Sequence, residues 1–256
     1  MHIRHTQGRH ACTLEKNMEN LTMSDEIVAK FVPFRIFSLA VHPTQSKLLV
    51  AAGDKWGSIG FWDVQNKKNQ NSGIQVVKLH SRPVNCMTYD IFDSSKLIST
   101  SYETSYDGTM RIFDINEKKS SVLHAGPENN ESYMTFLAQV DRDCFLVTHG
   151  RPGMIGLIDR RLYHFKTASK IKICDYVSPK TVSLHPTKAN VVFLAQIDKG
   201  CGIFDMRKQV RKNTAISSIE RLVHLKDSTE TGIGNSSASF SPATGNRVVT
   251  YYFIIS

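Results

Sequence analysis

Short apolar runs alternate with turn residues along most of the chain. Between residues 37 and 205, each run is rich in β-branched and aromatic side chains and ends at Gly, Asp, Pro or Ser. This is the composition of strands joined by tight turns. No segment in this range keeps an apolar period of about 3.6 residues over the length of a helix. The pattern therefore predicts an all-β protein.

A repeated unit organises these strands. Each copy ends on an aspartate that follows an aromatic or large apolar residue, and these aspartates are Asp63, Asp114, Asp159 and Asp205. Their intervals of 51, 45 and 46 residues are close to the length of a four-stranded propeller blade, about 40–45 residues. The periodicity predicts a β-propeller, in which every unit forms one blade.

The predicted architecture is an open, incomplete WD-repeat β-propeller, with about four and a half blades where about seven are expected. We expect residues 1–30 to form an N-terminal extension and residues 31–256 to form the propeller. The predicted blades are residues 37–79, 80–123, 131–172 and 175–222, with a partial blade at 224–256.

The Trp62–Asp63 pair is similar to the signature of WD repeats, where the aromatic ring packs between blades and the aspartate ends the third strand. Proteins of this kind often contain a hydrogen-bonded tetrad of an aspartate, a histidine, a Ser or Thr and the tryptophan. The resemblance implies that Asp54 and Asp198 stand at the aspartate position. It also implies that His80 and Ser99 complete the tetrad in the second blade.

Three strings resemble one WD-repeat family closely: RIFSLAVHP at 35–43, LVAAGDKWG at 49–57 and FSPATGNRVVT at 240–250. The family is that of WD repeat-containing protein 76, which is related to the small subunit of the UV-damaged DNA-binding complex. The resemblance implies a nuclear protein that binds DNA in the damage response. It also implies docking onto a cullin-type ubiquitin ligase through the damaged-DNA-binding adaptor of that ligase. The six residues after Thr250 depart from the family and predict a C-terminally truncated form.

Basic residues suggest where DNA binds. The formal net charge of +9 and the pI near 9.3 favour polyanionic partners. By the repeat register, five residues fall in loops at one rim of the propeller, where cations and an aromatic ring suit phosphate contact and base stacking. This predicted DNA-binding set is Lys55, Trp56, Arg82, Arg151 and Lys199. The alternative is scattered solvated charge.

Two consecutive blades end in an aspartate followed two positions later by arginine, in the strings Asp159-Arg160-Arg161 and Asp205-Met206-Arg207. In the family resemblance this is the adaptor-docking box of ligase substrate receptors. An arginine at the end of a strand offers a planar fork of donors to a partner. The alternative is an exposed arginine or an ion pair within the blade, worth about 0–1 kcal/mol.

The sequence gives no support for an enzyme, a metal site or a cofactor. It contains no G-x-S-x-G, P-loop or H-E-x-x-H motif and no compact carboxylate pair, so no small-molecule substrate is predicted. His42 and His185 recur at one blade position and are expected in turns. A helix that spans a bilayer needs about 20 apolar residues. No apolar stretch approaches this length, so we expect no membrane partner. The competing function is a protein scaffold that binds peptides such as histone tails without touching DNA.

Overall fold

A computed structural model describes residues 28–66, 73–101, 108–125, 134–149, 154–162, 167–172, 179–196, 200–210, 217–225, 234–242 and 244–253. The contacts divide the chain into two compact units, residues 1–30 and residues 31–256, and the fold below is that of the second unit. In the described ranges every regular element is a β-strand, which confirms the all-β prediction. These ranges contain no helix long and apolar enough to cross a membrane.

The first two blades are separate four-stranded antiparallel sheets with strands in sequence order. The strands of the first blade are β1 (Ile36–Val41), β2 (Leu49–Asp54), β3 (Ser58–Asp63) and β4 (Ile74–Lys78). The strands of the second blade are β5 (Val84–Tyr89), β6 (Lys96–Ser101), β7 (Thr109–Asp114) and β8 (Lys119–Ala125).

The third and fourth blades are joined into one eight-stranded sheet, which the repeat pattern did not predict. The third blade is β9 (Met134–Gln139), β10 (Cys144–His149), β11 (Met154–Asp159) and β12 (Thr167–Lys172). The fourth blade is β13 (Pro179–Leu184), β14 (Val191–Gln196), β15 (Gly200–Val210) and β16 (Ser217–Leu225). Because β15 continues for five residues beyond Asp205, its hairpin with β16 extends past the blade. The start of β16 then pairs in parallel with the end of β12, Ile171 opposite Ser217.

The fifth sheet has two described strands, β17 (Gly234–Phe240) and β18 (Val248–Phe253). The strand β18 runs three residues past Thr250, and Phe253 pairs with Gly234, so the start of the divergent tail continues a blade strand. The sequence placed the fifth unit from about residue 224, whereas residue 224 pairs within β16. As predicted, the described blades form an open array and do not close into a ring.

The core lies between neighbouring sheets. Between the second and third blades, Ile98 and Met110 pack against Met134 and Phe145, all buried. The inner strands are also tied by hydrogen bonds, since Ser38 Oγ donates to the carbonyl oxygen of Val84 at 2.6 Å. The stability of each blade therefore depends on its neighbours, as in other repeat proteins.

A tight turn joins β2 to β3 and holds the next loop against it. Asp54 Oδ1 accepts hydrogen bonds from the backbone N–H groups of Trp56 and Ser58, both at 2.8 Å. Gly57 has a φ of +87°, and a Cβ atom there would lie 2.1 Å from the carbonyl oxygen of His80. Only glycine fits this conformation and this close approach.

The predicted tetrad is only partly described. His80 Nε2 and Ser99 Oγ form a buried hydrogen bond of 2.8 Å, so this half of the tetrad is present in the second blade. Asp54 instead caps its own turn, and Asp198 lies outside the described residues.

Candidate functional site

One edge of the blade array carries a repeated aspartate from the third strand of each of the first four blades, and we call it the aspartate rim. Three of these aspartates end their strands, whereas β15 continues beyond the fourth to Val210. Antiparallel order places Asp63, Asp114, Asp159 and Asp205 at this same edge of successive blades. Each Oδ1 atom accepts the backbone N–H two residues later, at 3.0–3.2 Å. The four donors are Gln65, Asn116, Arg161 and Arg207. The same hydrogen bond is therefore formed four times, in a turn in the first three blades and within the long strand β15 in the fourth.

In the third and fourth blades the arginine side chain folds back onto the aspartate in a two-bond fork. Arg161 Nε donates to Asp159 Oδ1 at 2.8 Å, and Nη2 donates to Oδ2 at 2.5 Å. Arg207 makes the same two bonds to Asp205, at 3.0 and 2.7 Å. Both arginine side chains are exposed. Each fork thus holds an exposed guanidinium in a fixed plane.

The forks also stabilise the charged forms of the aspartate and arginine side chains. Hydrogen bonds from the side chain and backbone N–H of Arg161 lower the pKa of Asp159 to about 2. The hydrogen bonds to Asp159 and Asp205 raise the pKa values of Arg161 and Arg207. A guanidinium has five N–H donors, so three of them in each arginine remain directed away from the aspartate. Carboxylates and carbonyl oxygens of a partner are suitable acceptors for such a fork.

Arg160 occupies a different position from its neighbour. Its Nε lies 2.6 Å from Asp143 Oδ1, and its Nη1 lies 3.8 Å from Oδ2 of Asp90, a buried residue of the second blade. Asp90 Oδ1 also accepts a hydrogen bond of 3.0 Å from Gln139 Nε2. Among the predicted docking residues, Arg160 therefore joins two blades, whereas Arg161 lies at the surface.

Exposed apolar side chains, which the repeat pattern did not predict, stand next to the fork of the third blade. Ile91 and Phe92 follow Asp90 in the turn between β5 and β6, and both are exposed. The backbone N–H of Ile91 donates to Gln139 Oε1 at 2.9 Å, which places this turn against the third blade. Leu162, one residue after Arg161, is exposed too. The Ile-Phe pair between two predicted strands was the signal in the sequence that could have indicated this exposed apolar surface, because turn residues are usually polar.

The opposite edge, which we call the Lys55 rim, carries the loop between β2 and β3 and the loop between β4 and β5. Lys55 Nζ lies 5.3 Å from the centre of the Trp56 ring, within the range of a cation–π contact. Phe34 meets the same ring edge-on, at 6.4 Å between centroids. Trp56 keeps 38% of its surface exposed, so part of the indole remains open to a partner.

The other residues of the predicted DNA-binding set are only partly described. Arg82 lies in the loop that packs on Gly57, with its carbonyl oxygen 2.9 Å from a Cβ atom built there. This places the Arg82 backbone on the same rim as Lys55 and Trp56. Arg151 and Lys199 lie outside the described residues.

A cleft of about 540 Å³ opens between the first and second blades. Its walls include the aromatic side chains of Phe61, Trp62 and Tyr89, together with Asn66 and Asn116 near the aspartate rim. Burial raises the pKa of Tyr89 to about 12. Within the described part of the chain, no group of three or more His, Cys, Asp and Glu side chains could hold a metal ion.

Comparison with known proteins confirms the predicted resemblance. The chain is 33% identical to WD repeat-containing protein 76 of Xenopus laevis, over 91% of this chain and 37% of that protein. It is 31% identical to the mouse protein of that name, over 91% and 35%. It is also 26% identical to the DNA damage-binding protein CMR1 of Phaeosphaeria nodorum, over 80% and 42%. The chain thus spans little more than a third of the WD repeat-containing protein 76 relatives. No family model matches it.

Proposed function

We propose that this chain, a WD-repeat homologue of the WD repeat-containing protein 76 family, is a nuclear, non-enzymatic DNA-binding protein of the damage response. The names of the CMR1 relatives state binding to damaged DNA, and the net charge of +9 suits a polyanionic partner. In this proposal, the Lys55 rim contacts DNA and the aspartate rim receives a protein partner.

The arrangement of Lys55 and Trp56 carries the DNA proposal. The lysine ammonium makes no ion pair with a described residue, and it lies beside an aromatic ring that is partly open. A cation beside a ring allows one loop to contact a phosphate and stack on a base. Arg82 on the same rim, with Arg151 and Lys199 as the proposed continuation in later blades, extends the basic surface.

Duplex affinity measured against salt concentration tests this proposal. Lys55→Glu should flatten the log–log salt dependence by about one unit or more, because a phosphate contact is lost. Trp56→Ala should weaken binding without changing the slope, since stacking is worth about 1–3 kcal/mol per base and is insensitive to salt. The matched control is Lys47→Glu, because Lys47 lies on the aspartate rim, 3.4 Å from Asp63. Wild-type binding by both rim variants would contradict the proposal.

The second part of the proposal is docking of the damaged-DNA-binding adaptor of a cullin-type ubiquitin ligase on the aspartate rim. Two equal Asp–Arg forks in neighbouring blades support it, because one partner surface can accept both guanidinium groups. We therefore propose Arg161 and Arg207, held by Asp159 and Asp205, as the docking residues. Arg160 would support docking indirectly, because its contacts with Asp90 and Asp143 join the second and third blades.

Co-precipitation of the adaptor tests this part. The double variant Arg161→Ala/Arg207→Ala should lose the adaptor and keep the thermal transition of the parent chain. The double variant Gln65→Ala/Asn116→Ala is the matched control, since these residues form the same turn in the first two blades. Equal recovery of the adaptor by both double variants would contradict the docking proposal.

The alternative function is a scaffold that binds peptides, such as histone tails, without DNA contact. The aromatic cleft between the first two blades favours it. The salt titration separates the two functions. Binding in an apolar cleft depends weakly on salt, whereas binding through phosphate contacts weakens steeply as the salt concentration rises. Peptide affinity that Trp56→Ala and Lys55→Glu leave unchanged would support the scaffold.

A further inference from the structure

The excess positive charge of the chain belongs to two short segments, residues 160–172 and residues 206–218. The whole chain has 32 Lys and Arg and 23 Asp and Glu, and these two segments contain nine of the Lys and Arg and none of the Asp and Glu. The rest of the chain therefore has 23 residues of each sign and no net charge. A surface for a polyanion is expected where these two segments lie.

The joined sheet of the third and fourth blades brings the two segments together. The strand β16 lies between β12 and β15. Its residue Ser218 pairs with Lys172 of β12 on one side and with Val210 of β15 on the other. Neighbouring strands are about 4.8 Å apart, so the backbones of the two segments are about 10 Å apart at this point. In the sequence they are separated by β13, β14 and the first half of β15, and the parallel pairing of β12 with β16 makes them neighbours.

Three of the nine cations already have carboxylate partners. Arg161 and Arg207 form the two forks, and Arg160 contacts Asp143 at 2.6 Å. These arginines therefore contribute little free charge to the joined sheet. The other cations of the two segments that lie on described strands are Lys170 and Lys172 of β12 and Lys208 of β15.

Uncharged residues pair with the two lysines of β12. Lys170 lies opposite Gly156 of β11, and Lys172 lies opposite Met154 of the same strand. On its other side Lys172 lies opposite Ser218. An acidic residue at such a position would form a pair of opposite charges across the strands. The charges of these lysines are thus not balanced by these cross-strand neighbours.

We propose, on the basis of the DNA-binding function proposed above, that Lys170, Lys172 and Lys208 form a second contact surface for DNA phosphates. We call this surface the basic sheet. It is distinct from the Lys55 rim, because it lies on the outer strand of the third blade and on the extension of β15. A lysine ammonium binds phosphate as a point charge, and phosphate contacts carry no sequence information. The basic sheet therefore holds the DNA backbone, whereas the Lys55 rim adds an aromatic ring that can stack on a base.

Duplex affinity of the full chain measured against salt concentration tests the basic sheet. The triple variant Lys170→Gln/Lys172→Gln/Lys208→Gln should lower the log–log salt slope by about three units, because each phosphate contact contributes about 0.9. The triple variant with Arg at the same three positions keeps the charge and should keep the slope. An unchanged circular dichroism spectrum would show that both variants fold.

A matched control separates a local contact from the effect of net charge. The triple variant Lys47→Gln/Lys118→Gln/Lys119→Gln removes the same charge from exposed positions in the first two blades. It should lower the slope by less than about one unit, because no phosphate contact is proposed there. Equal loss of slope in the control and in the basic-sheet variant would overturn the proposal, and so would a basic-sheet variant with the wild-type slope.

Lysine acetylation of the wild-type chain, read by mass spectrometry, gives a second measurement that does not depend on the folding of a variant. Bound duplex should slow the acetylation of Lys170, Lys172 and Lys208 and leave that of Lys118 and Lys119 unchanged. Failure of the duplex to protect the three lysines would overturn the basic sheet.

The Lys55→Glu variant in the same salt titration distinguishes the basic sheet from the Lys55 rim. A slope that falls in Lys55→Glu but not in the basic-sheet variant would overturn the basic sheet and support the Lys55 rim. A slope that falls only in the basic-sheet variant would support the basic sheet and contradict the Lys55 rim. A wild-type chain that binds no duplex would overturn both.

Discussion

Replacement of Arg160 tests the claim that an ion pair joins the second and third blades. Asp90 is buried and has three partners: the Arg160 guanidinium at 3.8 Å, Gln139 Nε2 at 3.0 Å and the backbone N–H of Phe92 at 2.8 Å. Arg160→Met would keep most of the side-chain volume. It would also reproduce the fourth blade, where Met206 occupies the equivalent position and packs on the core. The change removes the only ion pair that the buried carboxylate of Asp90 makes among the described residues.

The expected loss of unfolding free energy is about 1–3 kcal/mol. Removal of one partner of a fully buried pair costs about 3–5 kcal/mol. The Arg160 side chain is partly exposed, and Asp90 keeps two hydrogen bonds, so a smaller value applies. The distance of 3.8 Å also makes this contact weaker than the 2.6 Å contact with Asp143. For a chain of this size the loss corresponds to a fall in melting temperature of about 2–4 °C per kcal/mol.

Thermal and urea unfolding of the full chain provide the measurement. The matched control is Arg161→Met, which removes the adjacent exposed arginine and should cost about 0–1 kcal/mol. In the double variant Arg160→Met/Asp90→Asn, part of the lost stability should return, because the uncompensated charge is gone. Equal stability of Arg160→Met and Arg161→Met would refute the reasoning, and so would a double variant no more stable than Arg160→Met.

Three further predictions concern single residues. Gly57→Ala should destabilise the chain by more than about 1 kcal/mol, because the added Cβ would meet the carbonyl oxygen of His80; urea unfolding measures the loss. The carboxyl of Asp159 should stay ionised down to about pH 2, and NMR titration should find its pKa raised towards the usual value of about 3.9 in Arg161→Ala. Since the pKa is lowered by folding, the stabilisation from Asp159 is complete above about pH 4 and is lost as the pH falls towards 2; an unchanged pKa in the variant would contradict the fork. Burial raises the pKa of Cys86 to about 12, so iodoacetamide at pH 8 should modify Cys86 only after unfolding, and rapid modification of the folded chain would contradict its burial.

The sequence predicted the repeated features of the fold well. Strand composition and the regular aspartates indicated four-stranded blades, and the four aspartates do lie at one edge, each accepting the backbone N–H two residues later. This succeeds because a turn capped by an aspartate two residues earlier is a local structure. The pairing of Arg161 with Asp159 follows from the same local geometry, and an ion pair within the blade is the predicted alternative to docking.

Adjacent arginines show where local reasoning ends. Arg160 and Arg161 are the same residue type in one string, yet one lies against a neighbouring blade and the other is exposed. The equivalents of Arg160 are Val64, Ile115 and Met206, and these apolar residues mark an inward position. The acceptors of Arg160 come from Asp143 and from Asp90, which lies 70 residues away in the sequence. Only the packing of two blades brings them together.

The sequence by itself determined the strands, their period and the turns that end them, because these depend on residues close together in the chain. The tertiary structure decided which equivalent positions are buried. Leu39 and Met87 have the same place in their blades and similar side chains, but a preceding sheet covers only Met87. It also decided the pairing of β12 with β16. Burial and edge pairing depend on which segments are neighbours in space, and no local pattern of residues encodes the presence of a neighbour.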